Sequence, residues 1–132
     1  MVLSLFLPLG ERGFKEWPYE QIVLITVFFA PIFETLLLQG LPIAIARWAK
    51  AAFWLQVLVS MVPFAGLHFL EGFSVGLGAG VLGGFYFAFT YAHWRQRSRW
   101  TALWTTALCH AIHNAMAVFM MLPGVLLGGG LS

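Results

Sequence analysis

Charged residues are scarce in this sequence, and their scarcity decides which kind of protein it encodes. Of the 132 residues, 9% are charged and 61% are hydrophobic, whereas soluble domains average roughly 25% charged and 45–50% apolar residues. This composition excludes an ordinary soluble domain. The net charge of +2 comes from short clusters between hydrophobic runs, so it concerns membrane orientation and predicts no nucleic-acid partner. We expect an integral, multi-pass membrane protein, surrounded by lipid.

Cysteine is almost absent. The single residue of this type, Cys109, excludes an intramolecular disulfide. It lies four residues before His113, which could suggest a thiol–imidazole dyad on one helical face. A small buried cysteine is the simpler interpretation.

Long hydrophobic runs dominate what is present. At about 20 apolar residues per crossing, the chain has room for four spans, over residues 22–45, 51–70, 73–94 and 100–122. The predicted fold is all-α, a polytopic transmembrane helical bundle of about four spans. Residues 1–20 combine a run too short to span with charged and aromatic residues, and they are predicted to be an interfacial segment. Residues 21–132 are predicted to form the transmembrane domain.

Glycine recurs at regular spacing in the third hydrophobic run. The residues are Gly72, Gly76, Gly80 and Gly84. Four-residue spacing on a helix makes one smooth stripe, against which another backbone can pack closely. The stripe predicts helix packing, and a homo-oligomer contact is the alternative.

One acidic residue, Glu34, lies inside the first hydrophobic run. A carboxylate near the centre of a bilayer costs roughly 2.5–3.5 kcal/mol on insertion scales, so it normally has partners on neighbouring helices and often a function. Later runs supply the candidates. His68 follows Phe64 by four residues in the second run, and His110 precedes Asn114 by four in the fourth. Each of these pairs shares one face of its helix.

Two kinds of chemistry fit these side chains. A carboxylate beside imidazoles in a water-excluding pocket can hold and deprotonate a water molecule. The Asn114 amide can donate to the oxyanion that forms when this water attacks a carbonyl. Hydrolysis of a peptide bond within the membrane, without a cofactor, fits these groups. Zinc bound by Glu34, His68 and His110 is the alternative, although the sequence has no His-Glu-x-x-His motif.

Three motifs on successive hydrophobic runs carry a resemblance to a known family. They are Pro31-x-x-Glu34…Gln39-Gly40, Phe64-x-x-x-His68 and His110-x-x-x-Asn114. They resemble the CAAX protease and bacteriocin-processing family of intramembrane endopeptidases, whose pattern is Glu-Glu-x-x-x-Arg-Gly, Phe-x-x-x-His and His-x-x-x-Asn. The resemblance implies that Glu34 and His68 activate the water. It also implies that His110 and Asn114 stabilise the oxyanion.

The first motif departs from the family pattern at two positions. Thr35 stands where the second Glu is expected, and Gln39 where the Arg is expected. A charged pair has become a neutral pair that could hydrogen-bond at i,i+4, and losing only one member would have left a buried charge. Thr35, Gln39 and Phe64 are therefore predicted to support the site.

The prediction is an intramembrane endopeptidase with a peptide or protein substrate, similar to type II CAAX prenyl endopeptidases. Bacteriocin maturation, self-immunity and prenyl-protein processing are all compatible with it. The alternative is a catalytically silent membrane binding or scaffold protein of the same fold.

The position of His68 raises a geometric problem. Counting about 1.5 Å per residue from the basic loops places Glu34 and His110 near mid-membrane, but His68 close to the end of its helix. We expect either a turn after Leu70 that is sunk below the membrane surface or a bend at Pro63.

Overall fold

The computed structural model describes residues 18–128. Within that range, the side chains of Tyr19, Ile22 and residues 121–128 are not described. The predicted interfacial segment, residues 1–20, lies almost entirely outside the described residues. The described part consists of four helices: α1 over residues 19–48, α2 over Phe53–Phe69, α3 over Phe73–Trp94 and α4 over Arg99–Gly128. Over this part of the chain, the predicted all-α fold is confirmed.

Helix α1 is not a regular α-helix. Its α-helical segments Tyr19–Val23, Ala30–Glu34 and Leu41–Trp48 alternate with the π-helical segments Leu24–Phe29 and Thr35–Gly40. Pro31 and Pro42 each lie at the start of an α-helical segment, where the missing N–H interrupts the regular hydrogen-bond pattern. Glu34 ends the α-helical segment between the two π-helical ones. Such π-helical segments are frequent at functional sites.

The helices pack around an apolar core. Helix α2 packs along α3 and against the second half of α1, whereas α4 packs against α1 and α3. The core contains Ile43, Val57, Ala88, Tyr91, Ala92, Ala102 and Leu103. Large apolar side chains are also exposed on the outer faces, among them Phe28, Phe33, Ile45, Trp54, Leu82 and Trp104. These exposed side chains fit a bundle that is surrounded by lipid and not by water.

Two of the described helices are long and apolar enough to cross a membrane. They are Leu24–Trp48 within α1 and Phe73–Trp94, which is α3. Helix α2 is apolar but has only 17 residues. Helix α4 has 30 residues and contains the polar residues of the third motif. The predicted count of four spans stays a prediction.

The glycine stripe of α3 faces α2 in the same chain. A Cβ atom at Gly80 would lie 3.0 Å from the Cβ of His68 and 3.1 Å from the Cα of Ala65. One at Gly84 would lie 2.9 Å from Cδ1 of Phe64. The predicted packing role is therefore confirmed at these two positions. A homo-oligomer formed through the same stripe would have to displace α2.

Gly76 makes the same kind of contact with α2, because it faces the ring of Phe69 and has no room for a Cβ atom. Gly72 has a φ of 130°, a conformation that glycine adopts without steric cost. It forms the turn that leads from α2 into α3.

Candidate active site

Glu34 and His110 meet between α1 and α4. Oε2 of Glu34 lies 3.4 Å from Nε2 of His110, and the two residues are only 3% and 2% exposed. Because a carboxylate oxygen only accepts, the N–H of His110 points to Glu34. The distance is longer than the roughly 2.7–2.9 Å of a charge-assisted hydrogen bond. A carboxylate has about four acceptor positions, so Glu34 can also accept from a water molecule.

His68 is oriented by its own helix. Its Nδ1 lies 2.9 Å from the carbonyl oxygen of Phe64, and the two rings stack with centroids 4.4 Å apart. Because a carbonyl only accepts, Nδ1 carries the hydrogen and Nε2 is the basic nitrogen of the neutral ring.

Phe64 connects His68 to the Glu34–His110 pair. Its ring also meets the His110 ring edge-on, with centroids 5.7 Å apart. His68 lies in the last turn of α2, close to the helix end, as the residue count predicted. Its side chain is buried there. The supporting role of Phe64 stays a prediction.

The amide of Asn114 points to the backbone of α1. Nδ2 of Asn114 donates to the carbonyl oxygen of Thr26 over 2.9 Å. Asn114 follows His110 by one turn, on the same face of α4. A side-chain amide has two N–H groups, and the Thr26 carbonyl takes one of them. The predicted oxyanion role therefore depends on the second N–H and stays a prediction.

Phe87 of α3, which the motifs do not contain, contacts His110. Its ring stacks on His110 with centroids 4.3 Å apart and meets His113 edge-on at 5.7 Å. Phe87 lies three residues after Gly84, on the glycine-bearing face of the helix. The glycines of that face pack on α2, so the sequence gives no signal that the Phe87 ring meets His110 of α4.

An apolar groove lies between α3 and α4 beside the Phe87 ring. Its volume is about 590 Å³, and its walls include Leu82, Tyr86, Phe87, Cys109, His113 and Met116. Ligand pockets commonly measure about 300–1,000 Å³. The two members of the alternative dyad, Cys109 and His113, both line this groove.

Thr35 and Gln39 occupy the positions of the charged pair in the family pattern. Both are fully buried, as is Thr106 on α4. The two hydroxyl groups and both amide atoms of Gln39 form no hydrogen bond with any residue that the structure describes. The hydrogen bond that Thr35 and Gln39 could form at i,i+4 is therefore not formed. The two side chains keep the site neutral at these positions without pairing to each other.

The proposed zinc ligands do not form a metal-binding cluster. Within the described part of the chain, no three His, Cys, Asp or Glu side chains are grouped so that they could hold one metal ion. The Nδ1 of His68 faces a carbonyl, which leaves its Nε2 available, and the Nε2 of His110 faces Glu34. The zinc alternative stays a prediction.

A comparison with protein families agrees with the three motifs. The family model described as type II CAAX prenyl endopeptidase Rce1-like matches residues 17–116, a range that contains all three motifs. No curated protein and no solved structure matches the chain. The match covers well over half of the sequence and confirms the resemblance. The two apolar helices also fit a protein embedded in a membrane. The chain belongs to the Rce1-like family of type II CAAX prenyl endopeptidases, which are membrane-embedded proteases.

Proposed function

We propose that this protein is an intramembrane endopeptidase that hydrolyses a peptide bond with a water molecule activated by Glu34 and His68. The observation that carries the proposal is the contact between the buried carboxylate of Glu34 and the imidazole of His110, 3.4 Å apart on two helices. Ionisable groups inside a membrane protein are costly to bury and usually functional. The protease family of the chain supports the same reaction class.

Glu34 acts as the general base in the proposed reaction. Its carboxylate removes a proton from a water molecule, whose oxygen attacks the carbonyl carbon of the scissile peptide bond. The basic Nε2 of His68 accepts a hydrogen bond from the same water and orients it. The hydrogen bond between Nδ1 of His68 and the Phe64 carbonyl supports this tautomer.

His110 and Asn114 stabilise the negative oxygen of the tetrahedral intermediate. His110 turns to it the Nε2–H that faces Glu34 in the free protein, and Asn114 donates the amide N–H that Thr26 does not take. Donors placed in advance in a site that excludes water are worth more than donors in water. When the C–N bond breaks, the proton held by Glu34 passes to the leaving nitrogen. The products are an amine and a new carboxylate.

The groove between α3 and α4 is the proposed binding site for an apolar segment of the substrate. Phe87 lines this groove and also stacks on His110, so a chain in the groove would lie next to the proposed site. Substrates to screen include prenylated peptides, as the family description suggests, and bacteriocin precursors.

The proposal is tested by cleavage of a peptide library with the purified protein in liposomes, with products identified by mass spectrometry. Glu34→Gln keeps the size of the side chain but removes the base, and we expect turnover to fall about 10²- to 10⁴-fold. Glu20→Gln, the same change at an exposed carboxylate, is the matched control and should leave turnover unchanged. Circular dichroism in the same liposomes should show equal helix content in both variants.

Two results would contradict this mechanism. Equal turnover in Glu34→Gln and the parent protein would exclude Glu34 as the base. Loss of activity with a chelator and its return with zinc would show that the metal-free mechanism is wrong.

A silent binding protein of the same fold is the second candidate. The observation that favours it is the burial of neutral Thr35 and Gln39 where the family pattern has a charged pair. Under this alternative, the purified protein would retain apolar peptides in liposomes without cleaving any of them. Glu34→Gln would then lower stability only.

A further inference from the structure

Helix α1 contains two prolines, and each leaves a backbone carbonyl without its usual donor. Proline has no N–H, so Pro31 and Pro42 cannot donate to the preceding turn. In a lipid environment an unsatisfied carbonyl is expensive, and neighbouring helices commonly supply the donor. The identity of these donors bears directly on the site, because Glu34 lies between the two prolines.

The carbonyl affected by Pro31 is that of Thr26. In the first π-helical segment the hydrogen bonds step back five residues, as the bond from the Ala30 N–H to the Ile25 oxygen shows. By the same step, the Thr26 carbonyl falls to residue 31, which has no N–H. The donor observed at this oxygen is Nδ2 of Asn114, at 2.9 Å.

Pro42 leaves a carbonyl of the preceding turn without its donor. The Leu41 N–H donates five residues back, to the Leu36 oxygen, so an N–H at residue 42 would donate to Leu37 by the same step or to Leu38 by the α-helical step. At the Leu38 oxygen the observed donor is the hydroxyl of Ser60 on α2, at 2.8 Å. Ser60 is fully buried, so water does not compete for the bond.

We infer that Asn114 and Ser60 replace the N–H groups that Pro31 and Pro42 lack, and that Asn114 is thereby a positioning residue as well as the proposed oxyanion donor. The bond from Asn114 joins α4 to α1 one turn away from His110, and so fixes where His110 meets Glu34. The bond from Ser60 joins α2, which carries His68, to α1 one turn after Glu34. The part of this inference that concerns catalysis rests on the proposed function.

The experiment is a set of double-mutant cycles on folding stability in detergent–lipid micelles. Asn114→Ala should lower the folding equilibrium constant about threefold to twentyfold, the range expected for one hydrogen bond between membrane helices. Pro31→Ala restores an N–H at residue 31, so in that background Asn114→Ala should cost less than about twofold. An equal loss in both backgrounds would overturn the inference.

The other proline supplies the matched control. The loss caused by Ser60→Ala should shrink in the Pro42→Ala background but stay unchanged in the Pro31→Ala background. If Pro31→Ala reduced the Ser60→Ala loss as much as the Asn114→Ala loss, a general stiffening of α1 would explain the data. The specific replacement of N–H groups would then be rejected.

Turnover in liposomes tests the positioning role separately. Asn114→Ala should reduce the rate by a smaller factor in the Pro31→Ala background than in the parent protein, because the α1 backbone then no longer needs Asn114. If Asn114→Ala reduced the rate by the same factor in both backgrounds, Asn114 would act only on the oxyanion. The positioning role would then be overturned. If no version cleaved any peptide, the proposed function would fail, but the stability cycles would still decide whether Asn114 and Ser60 replace the missing N–H groups.

Discussion

The bundle has two helix interfaces that are built in opposite ways. Between α1 and α4, Glu34 faces His110 and the Asn114 amide reaches the backbone of the other helix. Between α2 and α3, Gly80 and its neighbours in the stripe let the two helices approach until little space remains between them. The first interface is polar and depends on single hydrogen bonds. The second is apolar and depends on shape.

The two interfaces divide the proposed site between them. The polar interface carries the carboxylate, one imidazole and the amide of the proposed site, whereas the apolar interface between α2 and α3, called the close interface below, carries the imidazole of His68 and the ring of Phe64. We therefore expect substitutions at the first interface to change turnover or to bury an unpaired charge. Substitutions at the second interface should lower stability where an added atom would meet the neighbouring helix, and should be tolerated where space is open.

The largest effect on stability is expected from a charge placed in the polar interface. Gln39→Arg would bury an unpaired guanidinium at a position with no exposed surface, and a lone buried charge costs about 3–5 kcal/mol. Adding Thr35→Glu one turn away should recover much of this loss through an i,i+4 pair. Gln96→Arg at an exposed position is the matched control, and it should stay within about 0.5 kcal/mol of the parent.

Chemical unfolding of the four proteins in micelles measures these differences. A stable Gln39→Arg variant without its partner would show that this position is open to water or lipid headgroups. Water or lipid headgroups would then have access to the polar interface between α1 and α4.

A smaller effect is expected at the close interface. Gly80→Ala places a methyl group 3.1 Å from the Cα and 3.2 Å from the carbonyl oxygen of Ala65, and backbone atoms cannot rotate away. Overpacking of this kind typically costs about 1–3 kcal/mol. At Gly78 a Cβ atom would meet no described atom within 4 Å, so Gly78→Ala should be neutral or stabilising. Thermal unfolding of the two variants decides this, and equal losses would show that α2 and α3 are not in close contact.

The smallest effect on stability is expected from removing single buried hydroxyl groups. One of the two hydroxyls compared forms a hydrogen bond and the other does not. Thr106→Val removes a fully buried hydroxyl that has no hydrogen-bond partner within the described structure, so stability should stay the same or rise by about 1 kcal/mol. Ser60→Ala removes a hydroxyl that donates to a carbonyl and should cost about 0.6–1.7 kcal/mol. The same unfolding assay compares them. A loss in Thr106→Val as large as in Ser60→Ala would mean that Thr106 has a partner in the membrane-embedded protein.

The sequence predicted the features that follow from spacing and polarity. The hydrophobic runs predicted the helices, the four-residue glycine spacing predicted a packing face, and Glu34 in an apolar run predicted a partner such as His110. Each of these depends on one residue type at a helical interval. Such patterns can be seen without knowing how the helices cross.

Features that depend on backbone irregularity or on the crossing of two helices were not predictable in the same way. The π-helical segment before Pro31 shifts which carbonyl this proline leaves open, so the sequence could not identify Thr26 as the partner of Asn114. Phe87 is one of 13 phenylalanines, and only the packing of α3 on α4 places it against His110. Thr35 and Gln39 do not form the hydrogen bond that their i,i+4 spacing allows, because sequence spacing does not fix side-chain rotamers.

The most direct test of the account is the cleavage rate in liposomes of four proteins: the parent, Glu34→Gln, His110→Gln and the variant with both changes. Residues that act as one catalytic unit are strongly non-additive. The account therefore predicts that the double variant is no more than about threefold slower than the slower single variant. If the two losses multiplied, or if the parent cleaved no peptide in the library, the claim that Glu34 and His110 form one hydrolytic site would be contradicted.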